Sequence, residues 1–183
     1  MAGHHLILGK LTDYLTGEIV DDTLDERYHQ KIARMLIEEK GYLKQEIVSR
    51  IRLMVQTSDK KATVPVNFKI NLNDKTKMII KFGPGSLVTR ERSLLGISRL
   101  LEAYQIPITV ITNGEDAHIL NAETGKLIGS SLQSIPSKYE LEYLTSSAGF
   151  QVISKKRIEI ESRIVYAYEV DDICPCDDTI CRL

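Results

Sequence analysis

Three stretches rich in β-branched and aromatic residues, EIVSRIRLMVQ (46–56), TVPVNFKINL (63–72) and KMIIKF (77–82), follow one another between two amphipathic segments. Three strands in a row need a common sheet, and the helices on either side need an apolar face to pack on. The first helix opens at Thr23 and Glu26, which have the spacing of a capping box. Leu24, Tyr28, Ile32, Met35 and Leu36 then recur at helical intervals until Gly41 ends the run. Asn73-Asp74 supplies a turn between the second and third strands. After Gly83-Pro84-Gly85, Thr89 is the expected N-cap of a second helix, RERSLLGISRLLEAY, in which Leu94, Ile97, Leu101 and Tyr104 share a face. PITVITNG is a fourth, central strand, and AHILNAETGKLIG is a hairpin turning near Thr124-Gly125. The order predicts an α/β fold, a central mixed sheet flanked by helices.

The flanks are less patterned. Residues 1–20 carry Leu6, Ile7 and Leu8 and then TDYLTGE, which suits an irregular arm. Beyond Pro136, SKYELEYLTSS suits a short helix. KKRIEIESRIVYAYEV has strand-like composition, but Ile160, Ile164, Ala167 and Tyr168 fit one helical face, and a helix is the expectation. The domain expectation is therefore a core over 1–135 with its N-terminal arm, and a helical extension with a cysteine-containing tail over 136–183, packed on the same domain.

Composition excludes several classes. The 183 residues are 43% hydrophobic and 27% charged, a globular balance, and no run approaches the roughly 18 apolar residues of a membrane span. MAGHHLILGK lacks a charged start followed by a long apolar core, so the expected location is the cytoplasm. The net charge of −1 conceals an uneven distribution: residues 41–105 hold twelve Lys and Arg against five Asp and Glu. That basic middle reads either as an electrostatic footprint for nucleic acid or as solvated strand and helix faces.

The order helix-strand-strand-strand-helix-strand resembles the core of the PD-(D/E)xK nucleases. More narrowly, DTLDERYHQKIARMLIEEKGY, VPVNFKINL, KMIIKFGPGSL and ITVITNGEDAHILNAETGKLIG resemble, in that order, the opening helix, the Asp strand, the Glu-x-Lys strand, and the Asn-Gly turn with closing hairpin of the type I restriction enzyme R subunit N-terminal domain. The resemblance implies a restriction-endonuclease-like core and DNA as partner. Phosphodiester hydrolysis with Mg²⁺ needs carboxylates on the ion and a lysine near the attacking water. A Glu and a Lys two apart on a strand reach one face. The family's Asp falls on Asn67, its Glu on Ile80 and its Lys on Phe82; Lys81 is adjacent but on the opposite face, and a one-residue shift would put Ile79 at the Glu position. Glu26 matches a helical position that some members of the fold use near the metal. The expectation is a degenerate, catalytically inactive, stand-alone homologue, without a Walker motif or helicase segment. It would bind nucleic acid, DNA before RNA, through Lys69, Lys81, Arg90 and Arg92. The alternatives are a Mg²⁺-dependent endonuclease with a rearranged site around Glu26 and Lys81, or a protein-interaction module; a homo-oligomer or a protein partner stays open.

Two further features complete the reading. GPGS lacks the Gly-Lys-Ser/Thr ending of a phosphate loop and suits a strand-to-helix turn, although Ser86, Thr89, Arg90 and Arg92 could seat a phosphate. Cys174, Cys176 and Cys181 crowd the C-terminus as C-x-C-x₄-C, a candidate zinc site that would need His4 or His5 as fourth ligand, against a disulfide or a free tail. No other cofactor is expected, Mg²⁺ entering only with the endonuclease alternative. His29, on the expected polar side of its helix, and His118, in the hairpin, show no partner in sequence.

Overall fold

The computed structural model describes residues 6–170. A small hairpin comes first: β1 (Lys10–Thr12) pairs antiparallel with β2 (Ile19–Asp21). This corrects the expectation of an irregular arm. Strands of three residues have no room for visible alternation, and the turn is closed by Asp13, whose carboxylate accepts from the amides of Leu15 and Thr16.

Helix α1 (Leu24–Glu38) follows, then β3 (Ile47–Gln56), β4 (Lys61–Leu72), β5 (Lys75–Phe82), α2 (Val88–Leu100), β6 (Ile108–Thr112), β7 (Ala117–Asn121), β8 (Leu127–Ser130), α3 (Lys138–Leu144) and α4 (Lys155–Glu169). The six strands β3 to β8 form one sheet in sequence order, antiparallel except where β5 and β6 run parallel across the α2 crossover. Asn73 and Asp74 both take left-handed φ, +53° and +58°, which the two-residue turn between β4 and β5 requires. The KKRIEIESRIVYAYEV segment is helical.

One core lies between α1 and the sheet, built from Ile32, Leu36, Phe68, Ile70, Met78, Ile80 and Val110. The other lies beneath α2 and α4 and holds Leu53, Val55, Val64, Val66, Ile79, Leu94, Ile97 and Val165. Val64, Val66, Phe68 and Ile70 are all even-numbered, so a regular strand would present them on one face. They divide between the two cores instead. The β3–β4 ladder rolls over between them, at the level where Arg50 stands opposite Asn67 and takes φ +56°.

Two helix details differ from the sequence pattern. Leu24 is exposed and His29, Gln30 and Ala33 are buried, because α1 lies on the sheet rotated from the face that its leucines suggest. Helix α2 starts at Val88, so Thr89 sits inside the first turn, its hydroxyl donating to Ser86 O instead of capping.

Helix α4 is fixed on α2 by a close approach and a carboxylate. A Cβ on Gly96 would fall 2.6 Å from Val165, so glycine lets the helices meet there. The enclosed carboxylate of Glu161 receives Arg92 Nη1 at 2.7 Å, Arg99 Nη1 at 3.0 Å and Arg157 Nε at 2.7 Å. Burial works against its charge, but the three guanidinium groups outweigh burial and hold the carboxyl below its ordinary value. Removing one partner of a buried ion pair typically costs about 3 kcal/mol or more. Glu161→Ala is therefore expected to lower the unfolding free energy by roughly 3 kcal/mol in urea titration; a loss under about 1 kcal/mol would show that the carboxylate is not the anchor of α4.

Candidate functional site

Four elements converge where β4 and β5 part. The β4–β5 ladder reaches Phe68↔Ile80 on this side. Beyond it the Phe82 amide donates not to a main-chain carbonyl but to Asn67 Oδ1, at 2.7 Å. Asn67 Nδ2 lies 3.5 Å from His29 Nδ1, and the His29 ring stacks on Phe68 with centroids 4.2 Å apart. Ile80 is wholly buried in the α1 core. Phe82 stacks on Tyr28 of α1, 5.4 Å between centroids. Tyr28 in turn lies over Gly114, where a Cβ would fall 2.1 Å from the ring; the residue also has φ +89°, and only glycine suits both demands. The Lys31 ammonium donates to Gly114 O at 2.8 Å, so the Thr-Asn-Gly turn is clamped to α1.

Arg50 occupies the mouth of this region. Its Nη1 and Nη2 donate to both Glu26 oxygens, at 2.9 and 2.7 Å, and Nη2 also reaches Asp13 Oδ2 at 2.7 Å. Gln30 bridges the same two carboxylates through Nε2. Thr23 Oγ1 accepts from the Glu26 amide, but the Glu26 side chain turns to Arg50 and Gln30 instead of returning to Thr23, which corrects the expected capping box. Burial resists the charge on Asp13 and on Glu26. The hydrogen bonds from Arg50 and Gln30, with two backbone amides at Asp13, overcome it and hold both carboxyls below the usual range. The left-handed φ of Arg50, a strain of about 1–3 kcal/mol for a residue with a Cβ, is what aims the guanidinium at both acids from an edge strand.

The residues singled out from sequence are distributed as follows. Asn67, Ile80, Phe82 and Glu26 gather at this region. Lys81 points to the opposite face, nearly enclosed, with Nζ 3.0 Å from Glu169 of α4. Lys69 pairs with Glu102 at 2.9 Å and Arg92 with Glu161. Arg90 lies half-buried, packed over Gly83 so closely that a Cβ there would fall 2.9 Å from its Cδ. Cys174, Cys176, Cys181, His4 and His5 lie outside the described residues. Of the two histidines without a partner in sequence, His118 has one, its Nδ1 2.6 Å from Glu91, while His29 is buried against Phe68 with its Nε2 unpartnered among the described residues. Sequence reasoning missed Arg50 and Asp13. Arg50 looked like one of many strand cations, and Asp13 like part of an arm.

Residues 24–136 match the family described as Type I restriction enzyme R protein N terminus, more than half of the chain. The chain belongs to that family. No curated protein and no solved structure matches it. Among the described residues, no three His, Cys, Asp or Glu side chains are grouped to hold a metal ion, and no helix is long and apolar enough to cross a membrane.

The restriction-endonuclease-like fold of this family implies a divalent metal at the Asp and Glu-x-Lys positions, and the residues present do not fit one. Ile80 and Phe82 offer no ligand. The carbonyl oxygen of Asn67 is engaged by the Phe82 amide. The carboxylates in reach, Glu26 and Asp13, already hold a guanidinium.

His29 makes the cluster pH-sensitive. Burial first, and then the Arg50 charge, lower its pKa from the usual value near 6.5 to about 4, against the weaker pull of Glu26 and Asp13. Between those values the unfolded chain binds a proton that the folded chain does not, so this contribution is complete above about pH 6.5 and is lost as pH falls toward 4. The expected loss is on the order of 3 kcal/mol across that window. His29→Leu should flatten urea-determined stability between pH 4 and 6.5; an unchanged slope would place the titrating group elsewhere.

Proposed function

We propose that this family member is a catalytically inactive nuclease-fold domain that binds nucleic acid, DNA in the first place. The observation that carries the loss of activity is the pair Ile80 and Phe82 in the catalytic strand, one sealed in the core and the other stacked on Tyr28. A migrated site would have to use Glu26, and Arg50 competes for both of its oxygens with a tethered charge that a diffusing ion must displace. Nothing in that arrangement prepares a water for attack on phosphorus.

Membership of a restriction-enzyme domain family supports DNA as the partner. The excess of cations in residues 41–105 supports a phosphate-binding surface, on which Lys69, Arg90 and Arg92 remain the candidates. Lys81 contributes to that surface only if Glu169 releases it.

Incubation of supercoiled plasmid with the protein and Mg²⁺ or Mn²⁺ separates the readings. The expected result is intact plasmid, retarded in a gel at about 50 mM salt and released as salt rises. Cleavage that disappears in Glu26→Ala would overturn the inactive reading and establish a rearranged metal-dependent nuclease. Intact plasmid that is not retarded would overturn nucleic-acid binding and leave a protein-interaction module.

A further inference from the structure

The α2–α4 contact lies partly outside the matched residues 24–136 and on the sheet face opposite α1. It is over-supplied with positive charge. Glu161 is a single carboxylate, and Arg92, Arg99 and Arg157 all converge on it, leaving a formal excess of two positive charges. One bidentate arginine would neutralise and satisfy a carboxylate. Two more create repulsion: burial, together with the neighbouring charges of Arg157 and Arg92, brings Arg99 below the ordinary value for a guanidinium despite its bond to Glu161.

The three arginines are not equivalent. Arg99 is nearly enclosed and also donates to Ala122 O. Arg92 and Arg157 have side chains 37% and 48% exposed; Arg92 Nη1 donates to Glu161, and Arg157 Nε forms an ion pair with it at 2.7 Å. A guanidinium carries five N–H donors. The other N–H groups of both guanidinium groups have no acceptor among the described residues, and both side chains reach solvent. Lys155 and Lys156, both exposed, precede Arg157 in the first turn of α4. Cations there oppose the helix dipole, so helix stability does not explain them.

The cluster on the α1 side carries no such surplus. Asp13 and Glu26 are met there by Arg50 and by Lys31 on the Gly114 turn, with His29 neutral at pH 7. A phosphodiester chain approaching this domain thus finds its unpaired positive charge on the α2–α4 side.

We propose that the α2–α4 seam is a nucleic-acid backbone site, in which Arg92 and Arg157, positioned by Glu161, each hold the non-bridging oxygens of a phosphodiester, with Lys155 and Lys156 beside them. This rests on the nucleic-acid reading above and names its surface. The test is fluorescence anisotropy of a labelled DNA duplex with the full chain between 50 and 200 mM KCl. The comparison sets Arg92→Gln/Arg157→Gln against a control pair, Arg52→Gln/Lys61→Gln, on the exposed side of the β3–β4 hairpin. The seam pair is expected to weaken binding at least roughly tenfold at about 100 mM and to reduce the salt slope by about 2, with the control pair within about twofold of wild type. Should the seam pair fail to fold, Arg157→Gln alone, which leaves two arginines on Glu161, is expected to weaken binding about threefold and lower the slope by about 1. Wild-type binding that the seam variants leave unchanged would overturn the seam and keep the nucleic-acid reading. No wild-type binding at 50 mM would overturn both. Equal affinity for poly-glutamate would overturn the phosphate assignment in favour of an acidic protein partner.

Discussion

The guanidinium of Arg50 ties three elements at one point: the β1–β2 hairpin through Asp13, helix α1 through Glu26, and the edge strand β3 that carries it. Its left-handed backbone lies at the level where the β3–β4 ladder rolls from one core to the other. One residue thus sets both the course of the sheet and the electrostatics of the region where α1 meets β4 and β5. The cation that the Asp13 and Glu26 carboxylates hold is supplied covalently, on a side chain. A tethered charge has no translational entropy to lose on binding and offers fixed N–H directions, but it cannot lower the pKa of a water as a metal ion does.

The substitutions around it are mutually consistent. Ile80 joins the α1 core and Phe82 stacks on Tyr28, so both side chains are packed against α1. Asn67 then serves the sheet, its carboxamide accepting the Phe82 amide where the ladder has ended. Buried His29 remains neutral beside Arg50. On the far face, Glu161 and its arginines hold α4, and Arg92 and Arg157 stay partly open to solvent.

Much of the fold was legible because its signals are local. β-branched runs, the Asn73-Asp74 turn, Gly41 and Pro107 each act within a few residues, and the element order they imply is the one observed. That Lys81 faces away from Ile80 and Phe82 was legible too, since period-two geometry fixes which residues share a face. What escaped was set by distant contacts. Thr23 and Glu26 have the capping-box spacing, but Glu26 is drawn to Arg50, 24 residues away. His29 seemed to lie on a polar face because Leu24 was assigned inward, whereas the packing of α1 on the sheet exposes Leu24 and buries His29. Asp13 sits in a turn between strands too short to show a pattern, and its partner is 37 residues on. The ion pairs of Lys69, Lys81 and Arg92 depend on the positions of α2 and α4, which a charge count cannot give.

The Arg50 guanidinium occupies the carboxylates of Asp13 and Glu26 and so denies them to a divalent ion. Titration of the wild-type protein with Mn²⁺, followed by electron paramagnetic resonance, tests this without reference to cleavage. The account predicts no saturable site at sub-millimolar Mn²⁺, and a new one in Arg50→Ala, where Asp13 and Glu26 lose their counter-charge. A stoichiometric Mn²⁺ site in the wild type that Glu26→Ala abolishes would contradict it.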